Sequence, residues 1–123
     1  MNVVVWIVSG VLAALYLMAG FTKLAKTKQD LLAEPRMAWA ADFTPGQVKG
    51  IGAVEVAGAL GLVLPWLTGV APVLTPIAAA GLAVVQAGAA VTHLRRGEKA
   101  TLPINAVLFA LAVFVAVVRF GQL

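Results

Sequence analysis

Four stretches of this chain are continuous apolar runs, without the one-faced or alternating pattern of a soluble fold. The first, Val3 to Phe21, is long enough to cross the ~30 Å hydrocarbon core of a bilayer. The second runs from about Val48 to Leu64, the third from about Val73 to Thr92, and the fourth from Thr101 and Pro103 to Val118. Inside lipid no water satisfies backbone N–H and C=O groups, so such runs predict helices. With their flanking residues they predict helices over about 3–22, 45–64, 73–92 and 102–119. The connections between them are short enough for neighbours to pack antiparallel. The expected fold is all-α, a transmembrane four-helix up-down-up-down bundle forming a single membrane domain over residues 1–123.

Polar punctuation refines these limits. Thr44-Pro45-Gly46-Gln47 opens the second helix, with Thr44 as cap, Pro45 at the first helical position and Gln47 completing a capping box. Pro65 and Thr68-Gly69 are expected to stop it, and Pro72 and Pro76 mark the entry to the third helix. The long polar connection, about 24–44, interleaves Lys26, Lys28, Asp30, Glu34, Arg36 and Asp42 with Leu31, Leu32, Met37, Trp39 and Phe43. Pro35 breaks any single helix there. An amphipathic segment at the membrane surface, with Trp39 at headgroup level, is the expectation; a docking loop or lid is the alternative. Small residues line the helices: Ser9 and Ala13, then Gly52, Gly58 and Gly61, then Gly81 and Gly88. Such residues permit close helix packing, within one chain or across a dimer.

Composition fits lipid as the solvent, since 62% of residues are hydrophobic and only 11% charged. A small soluble domain cannot cover so much apolar surface with so few charges. The net charge of +4 raises nucleic acid as a partner, but the basic residues flank the apolar runs. Lys23, Lys26, Lys28, Arg36, Lys49, Arg95, Arg96 and Lys99 fall at one end of the bundle and Arg119 at the other. That asymmetry predicts cytoplasmic basic connections and external termini, and nucleic acid drops out. The first run has lysines after it and none before it, the reverse of a cleavable signal peptide. Without cysteine there is no disulfide, thiolate metal site or dithiol relay in this chain. His93 is the only histidine, so no metal site is expected.

Glu55 most needs a reason. It lies about 10 Å below the basic end of the second helix, where an ionisable group is costly and faces the bundle interior. On the first helix Tyr16, Gly20 and Lys23 share one stripe, with Tyr16 level with Glu55. Gln86 and His93 share a face of the third helix, and Asn105 lies one turn into the fourth. The outer half reads as almost wholly apolar. These positions predict a cytoplasm-facing polar pocket of Glu55, Tyr16, Gln86, Asn105, Lys23 and His93 that binds the head of a lipid-soluble molecule, such as a quinone, or carries protons. The plainer alternative is that the same groups satisfy one another as interhelical hydrogen bonds, with Lys23 snorkelling to the surface. No nucleophile–base–orienter set and no phosphate-binding glycine loop is present, so no catalytic residue is assigned.

Ala19-Gly20-Phe21-Thr22-Lys23-Leu24, the stretch Gly52 to Leu62, the stretch Gly88 to Glu98 and Asn105 together resemble the DoxX-like family of small four-helix membrane proteins. The resemblance covers nearly the whole chain. It implies a place in the bacterial cytoplasmic membrane. Namesake relatives resemble membrane subunits of thiosulfate:quinone oxidoreductases, others resemble partners of sulfurtransferases and superoxide dismutases, and distant ones a receptor assembly factor. The implied function is an accessory or anchor subunit of a redox assembly, with a redox protein or a second copy of the chain as partner besides the bilayer. Two other classes stay open: a structural or assembly factor whose polar cluster only fixes packing, and a small proton-linked carrier. The carrier is disfavoured by the absence of an internal inverted repeat.

Overall fold

The computed structural model describes residues 2–123, and the side chains of all of these except Pro35 and Arg36. Arg36, counted above among the basic groups, therefore lies outside the described side chains. The elements are α1 (Asn2–Ala25), α2 (Lys28–Leu32), a 3-10 helix (Pro35–Asp42), α3 (Pro45–Thr68), α4 (Leu74–Arg95) and α5 (Leu102–Gly121), with no strand among the described residues. The four long helices α1, α3, α4 and α5 are each long and apolar enough to cross a membrane. They pack in a closed ring, α1 on α3, α3 on α4, α4 on α5 and α5 back on α1. Exposed Val3, Ile7, Met18, Phe21, Val84 and Val117 cover the outside of this ring, the surface expected where lipid is the solvent.

Two features of α3 explain how its helix runs. At its start the capping box forms, with the Gln47 amide donating to Thr44 Oγ1 at 3.1 Å and the Thr44 amide to Gln47 Oε1 at 2.9 Å. At its far end the helix does not stop at Pro65 as expected but continues to Thr68. Proline has no N–H, so the carbonyl four residues earlier, that of Gly61, loses its helical partner. The buried Thr75 hydroxyl on α4 donates to that carbonyl at 2.8 Å. The tertiary bond replaces the one proline removes. Gly69, at φ 73°, then ends the helix in the left-handed region that glycine adopts without strain.

Close packing is concentrated at two crossings. Where α1 meets α3, a Cβ on Gly20 would lie 2.6 Å from the Gly52 carbonyl oxygen, and one on Gly52 would lie 2.8 Å from the Gly20 carbonyl oxygen. Backbone touches backbone there, which only glycine allows. Farther along α3, Gly58 packs on Leu82 and Gly61 on Ala78 of α4. Gly81 and Gly88, expected to serve as packing positions, have no such neighbour: nothing lies within 4 Å of where their Cβ would stand. Helices α3 and α4 are thus pinned together in their outer halves and open towards the basic end.

The connection between α1 and α3 folds over that open end. Thr27 caps α2, accepting from the Asp30 amide at 3.1 Å, and Leu31, Ala40 and Val48 form a small core beneath it with Met37, Trp39 and Phe43. Trp39 and Phe43 meet edge to face at 5.7 Å. Arg96 Nη1, after α4, bonds Asp42 Oδ1 at 2.9 Å, and Lys28 Nζ donates to the Phe43 carbonyl. The segment roofs the bundle.

Candidate functional site

The crossing of Gly20 and Gly52 decides the geometry of the central charges. Lys23 and Glu55 each lie one turn C-terminal to one of these glycines, on antiparallel helices. Side chains on a helix lean towards its N-terminus, so Lys23 leans inward from the basic end and Glu55 leans out towards it. They meet with Lys23 Nζ 2.7 Å from Glu55 Oε1, the side chains 9% and 6% exposed. Lys23 therefore does not snorkel to the surface. Its ammonium also sits 5.7 Å from the Trp39 ring centre, beneath the roof. The contact is a buried ion pair at the basic end of the bundle.

All six residues expected from the sequence, Glu55, Tyr16, Gln86, Asn105, Lys23 and His93, line one cleft of about 960 Å³. Its volume is that of a small-molecule pocket. The remaining wall is mostly apolar, with Trp39, Phe43 and Met37 from the roof and Ile51, Val85 and Leu108 from the helices. Tyr16 Oη looks towards Gln86, but neither it nor Gln86 Oε1 nor Asn105 Nδ2 completes a hydrogen bond among the described residues. Buried polar groups without partners are rare, because each forfeits its hydration. Here three converge on one space beside an ion pair. Of the six side chains, Lys23 and Glu55 pair with each other, and His93 pairs outside the set with Glu98.

His93 stands at the edge of the cleft. Its Nδ1 lies 2.9 Å from Glu98 Oε1, in the turn after α4, and Arg96 Nε lies 3.4 Å from the same oxygen. The His93 contact, with Arg96 beside it, holds the Glu98 carboxyl below the usual carboxylate range. Since Arg96 also bonds Asp42, one chain of charges joins His93 to the roof.

The far half of the bundle, expected to be almost wholly apolar, holds a buried cation. Arg119 is fully buried, its guanidinium 4.8 Å from the Trp6 ring centre and 4.4 Å from that of Trp66. Nη1 donates to Gln122 Oε1 at 2.8 Å and to Asn2 Oδ1 at 3.4 Å, while Nε and Nη2 have no partner among the described residues. In sequence Arg119 reads as a flanking charge, and nothing there marks Trp6 or Trp66 as its neighbours. Only the tertiary placement of Trp6 on α1 and Trp66 on α3 against Arg119 of α5 exposes the cluster.

Among the described residues no group of three or more His, Asp or Glu side chains is placed to hold a metal ion. No curated protein and no solved structure matches the chain. A family model does match, and the match takes in most of each long helix, the roof and every residue of the cleft. Over residues 7–115 the sequence fits the model of the DoxX-like family, and the chain belongs to that family.

Proposed function

We propose that this membrane protein binds the polar head of a lipid-soluble molecule in the cleft at its basic end, and that it serves as an accessory subunit of a membrane redox assembly. The observation that carries the reading is the convergence of unpartnered Tyr16 Oη, Gln86 Oε1 and Asn105 Nδ2 beside the Lys23–Glu55 pair, in an otherwise apolar cleft. A quinone head suits such a set. Its two carbonyl oxygens accept hydrogen bonds, and Tyr16 Oη, Asn105 Nδ2 and Lys23 Nζ are donors. Glu55 and Lys23 exchange protons with a bound head, while electrons come from a separate redox protein, since this chain has no cysteine and no expected metal site. The basic end faces the cytoplasm in this reading, by the distribution of lysine and arginine, and the termini face outside.

A second reading has its own observation. The ion pair fixes the α1–α3 crossing, so the polar groups serve assembly and packing alone.

Purification from the native membrane in mild detergent, followed by mass spectrometry of every accompanying protein and lipid-soluble molecule, tests the proposal. A stoichiometric quinone that is lost in Glu55→Gln, with the fold retained, is the expected result. A preparation holding only this chain and bulk lipid, unchanged in Glu55→Gln, overturns it in favour of packing. A cysteine placed at Gly121 tests the orientation, and it is expected to react with an impermeant reagent on intact cells. Reaction only after lysis reverses the topology.

A further inference from the structure

A cleft of about 960 Å³ holds a drug-sized portion of a ligand, so the rest of a long isoprenoid tail extends beyond it. A lipid-soluble ligand seated there has to send its tail out between two helices. The seams differ in what they permit. Contact is most extensive between α1 and α3 and between α4 and α5, and at the first of these Gly20 and Gly52 bring backbone against backbone. Above the cleft stands the roof, tied by Arg96 to Asp42. Below it, Gly58 against Leu82 and Gly61 against Ala78 pin α3 to α4.

Two seams remain, and both carry cleft-lining residues that are exposed on the outside of the bundle. Between α1 and α5 these are the bulky Leu15 and Ile104, 47% and 63% exposed. Between α3 and α4 they are Gly50, Val54 and Gly88, and a Cβ on either glycine would meet nothing within 4 Å. Two glycines that line the same cleft as Glu55 and Gln86, one on each helix and with nothing within 4 Å of where a Cβ would stand, leave this seam without side chains at those positions. Helix packing in lipid has no hydrophobic drive to close it, because lipid tails are as apolar as the helices.

We propose that the gap between α3 and α4 over Gly50 and Gly88 is the port through which the apolar tail of an amphiphilic ligand leaves the cleft and enters the bilayer. The ligand class is then a molecule with a hydrogen-bond-accepting head and a long unbranched or isoprenoid tail, entering sideways from the membrane. The inference rests on the reading of the cleft as a head-group site.

The test uses the full chain in lipid nanodiscs, titrated with decylubiquinone, which carries a tail, and with duroquinone, which has none. Gly88→Phe puts a ring into the gap from a position where a Cβ meets nothing within 4 Å. The expected result is a loss of roughly tenfold or more in decylubiquinone affinity, about 1.4 kcal/mol, with duroquinone binding unchanged. Val84→Phe, on the exposed outside of α4 and away from the cleft lining, is expected to alter neither. Unchanged decylubiquinone binding in Gly88→Phe overturns the port and leaves the head site standing. Loss of both quinones in Gly88→Phe also overturns it, by placing position 88 within the head site. A selective loss of decylubiquinone in Leu15→Phe moves the exit to the other seam. If the unaltered chain binds neither quinone, the head-group reading itself falls.

Discussion

Lys23 and Glu55 meet at 2.7 Å because Gly20 and Gly52, one turn before each of them, let α1 and α3 touch backbone to backbone. The charges and the glycines are one device. Without the close approach the two side chains would each face the bundle interior alone, where an unpaired charge is costly.

Substituting one of these glycines should therefore disturb both packing and charge. Gly52→Val places a Cβ within 2.8 Å of the Gly20 carbonyl and of Lys23 Cβ, and overpacking of this kind costs about 1–3 kcal/mol. The expected outcome is a lowered unfolding temperature in detergent. Gly10→Ala and Gly81→Ala, where nothing lies within 4 Å, should not lower it.

The ion pair should show the asymmetry of buried charges. Removing one partner, as in Lys23→Met, leaves Glu55 uncompensated and is expected to cost about 3–5 kcal/mol, whereas the double variant Lys23→Met/Glu55→Met should recover most of that stability. Thermal or denaturant unfolding of the three variants checks this. A double variant as unstable as the single one would mean that the charges organise more than their own pairing.

Thr75 and Pro65 should be coupled. Thr75→Val leaves the Gly61 carbonyl buried without a donor, an expected loss of about 1–3 kcal/mol. In a Pro65→Ala background residue 65 regains its N–H and supplies the helical bond, so the same Thr75→Val change should cost much less. A double-mutant cycle measures the difference. Additive effects would sever the proposed link.

Arg119 is predicted to hold the far end together through its faces rather than through a counter-ion. Each aromatic contact of this kind is worth about 0.5–2 kcal/mol. Arg119→Met should destabilise the bundle and shift the fluorescence of Trp6 and Trp66, and Arg119→Lys should rescue only part, because the flat guanidinium stacks and the ammonium does not. Full rescue by lysine would reduce the role of the site to charge alone.

The roof should loosen in acid. Glu98 has a folded-state pKa below its ordinary value, so its contribution is present above the ordinary carboxylate pKa and is lost as pH falls through the depressed one. Quenching of tryptophan fluorescence by a water-soluble agent, followed from neutral pH to about pH 3, should rise below about pH 4.3 as the links from Glu98 to His93 and Arg96 fail. Glu98→Gln should flatten that component of the curve. A titration identical in the variant would assign the change to another group.

Much of this was legible along the chain. Lipid forbids unpaired backbone, so four long apolar runs dictate four helices whatever their packing. The Thr44–Gln47 capping box is a local device and formed where its residues predicted it. Helical phase and depth placed Glu55, Tyr16, Gln86, Asn105, Lys23 and His93 in the basic half of the bundle, and they line one cleft. What sequence did not contain was any contact between helices. The inward lean of Lys23, the turn of Trp39 over the cleft, the opening at Gly88 and the passage of α3 through Pro65 each depend on a partner more than ten residues away. Arg119 marks the limit most plainly. Beside a membrane a terminal arginine reads as a flanking charge, and only the antiparallel return of α5 against α1, with the end of α3 nearby, brings its guanidinium to the rings of Trp6 and Trp66. Solvent decides which segments are helices, and that is local chemistry. Which polar groups meet, and which space they leave open, is decided by helix crossings that no single segment encodes.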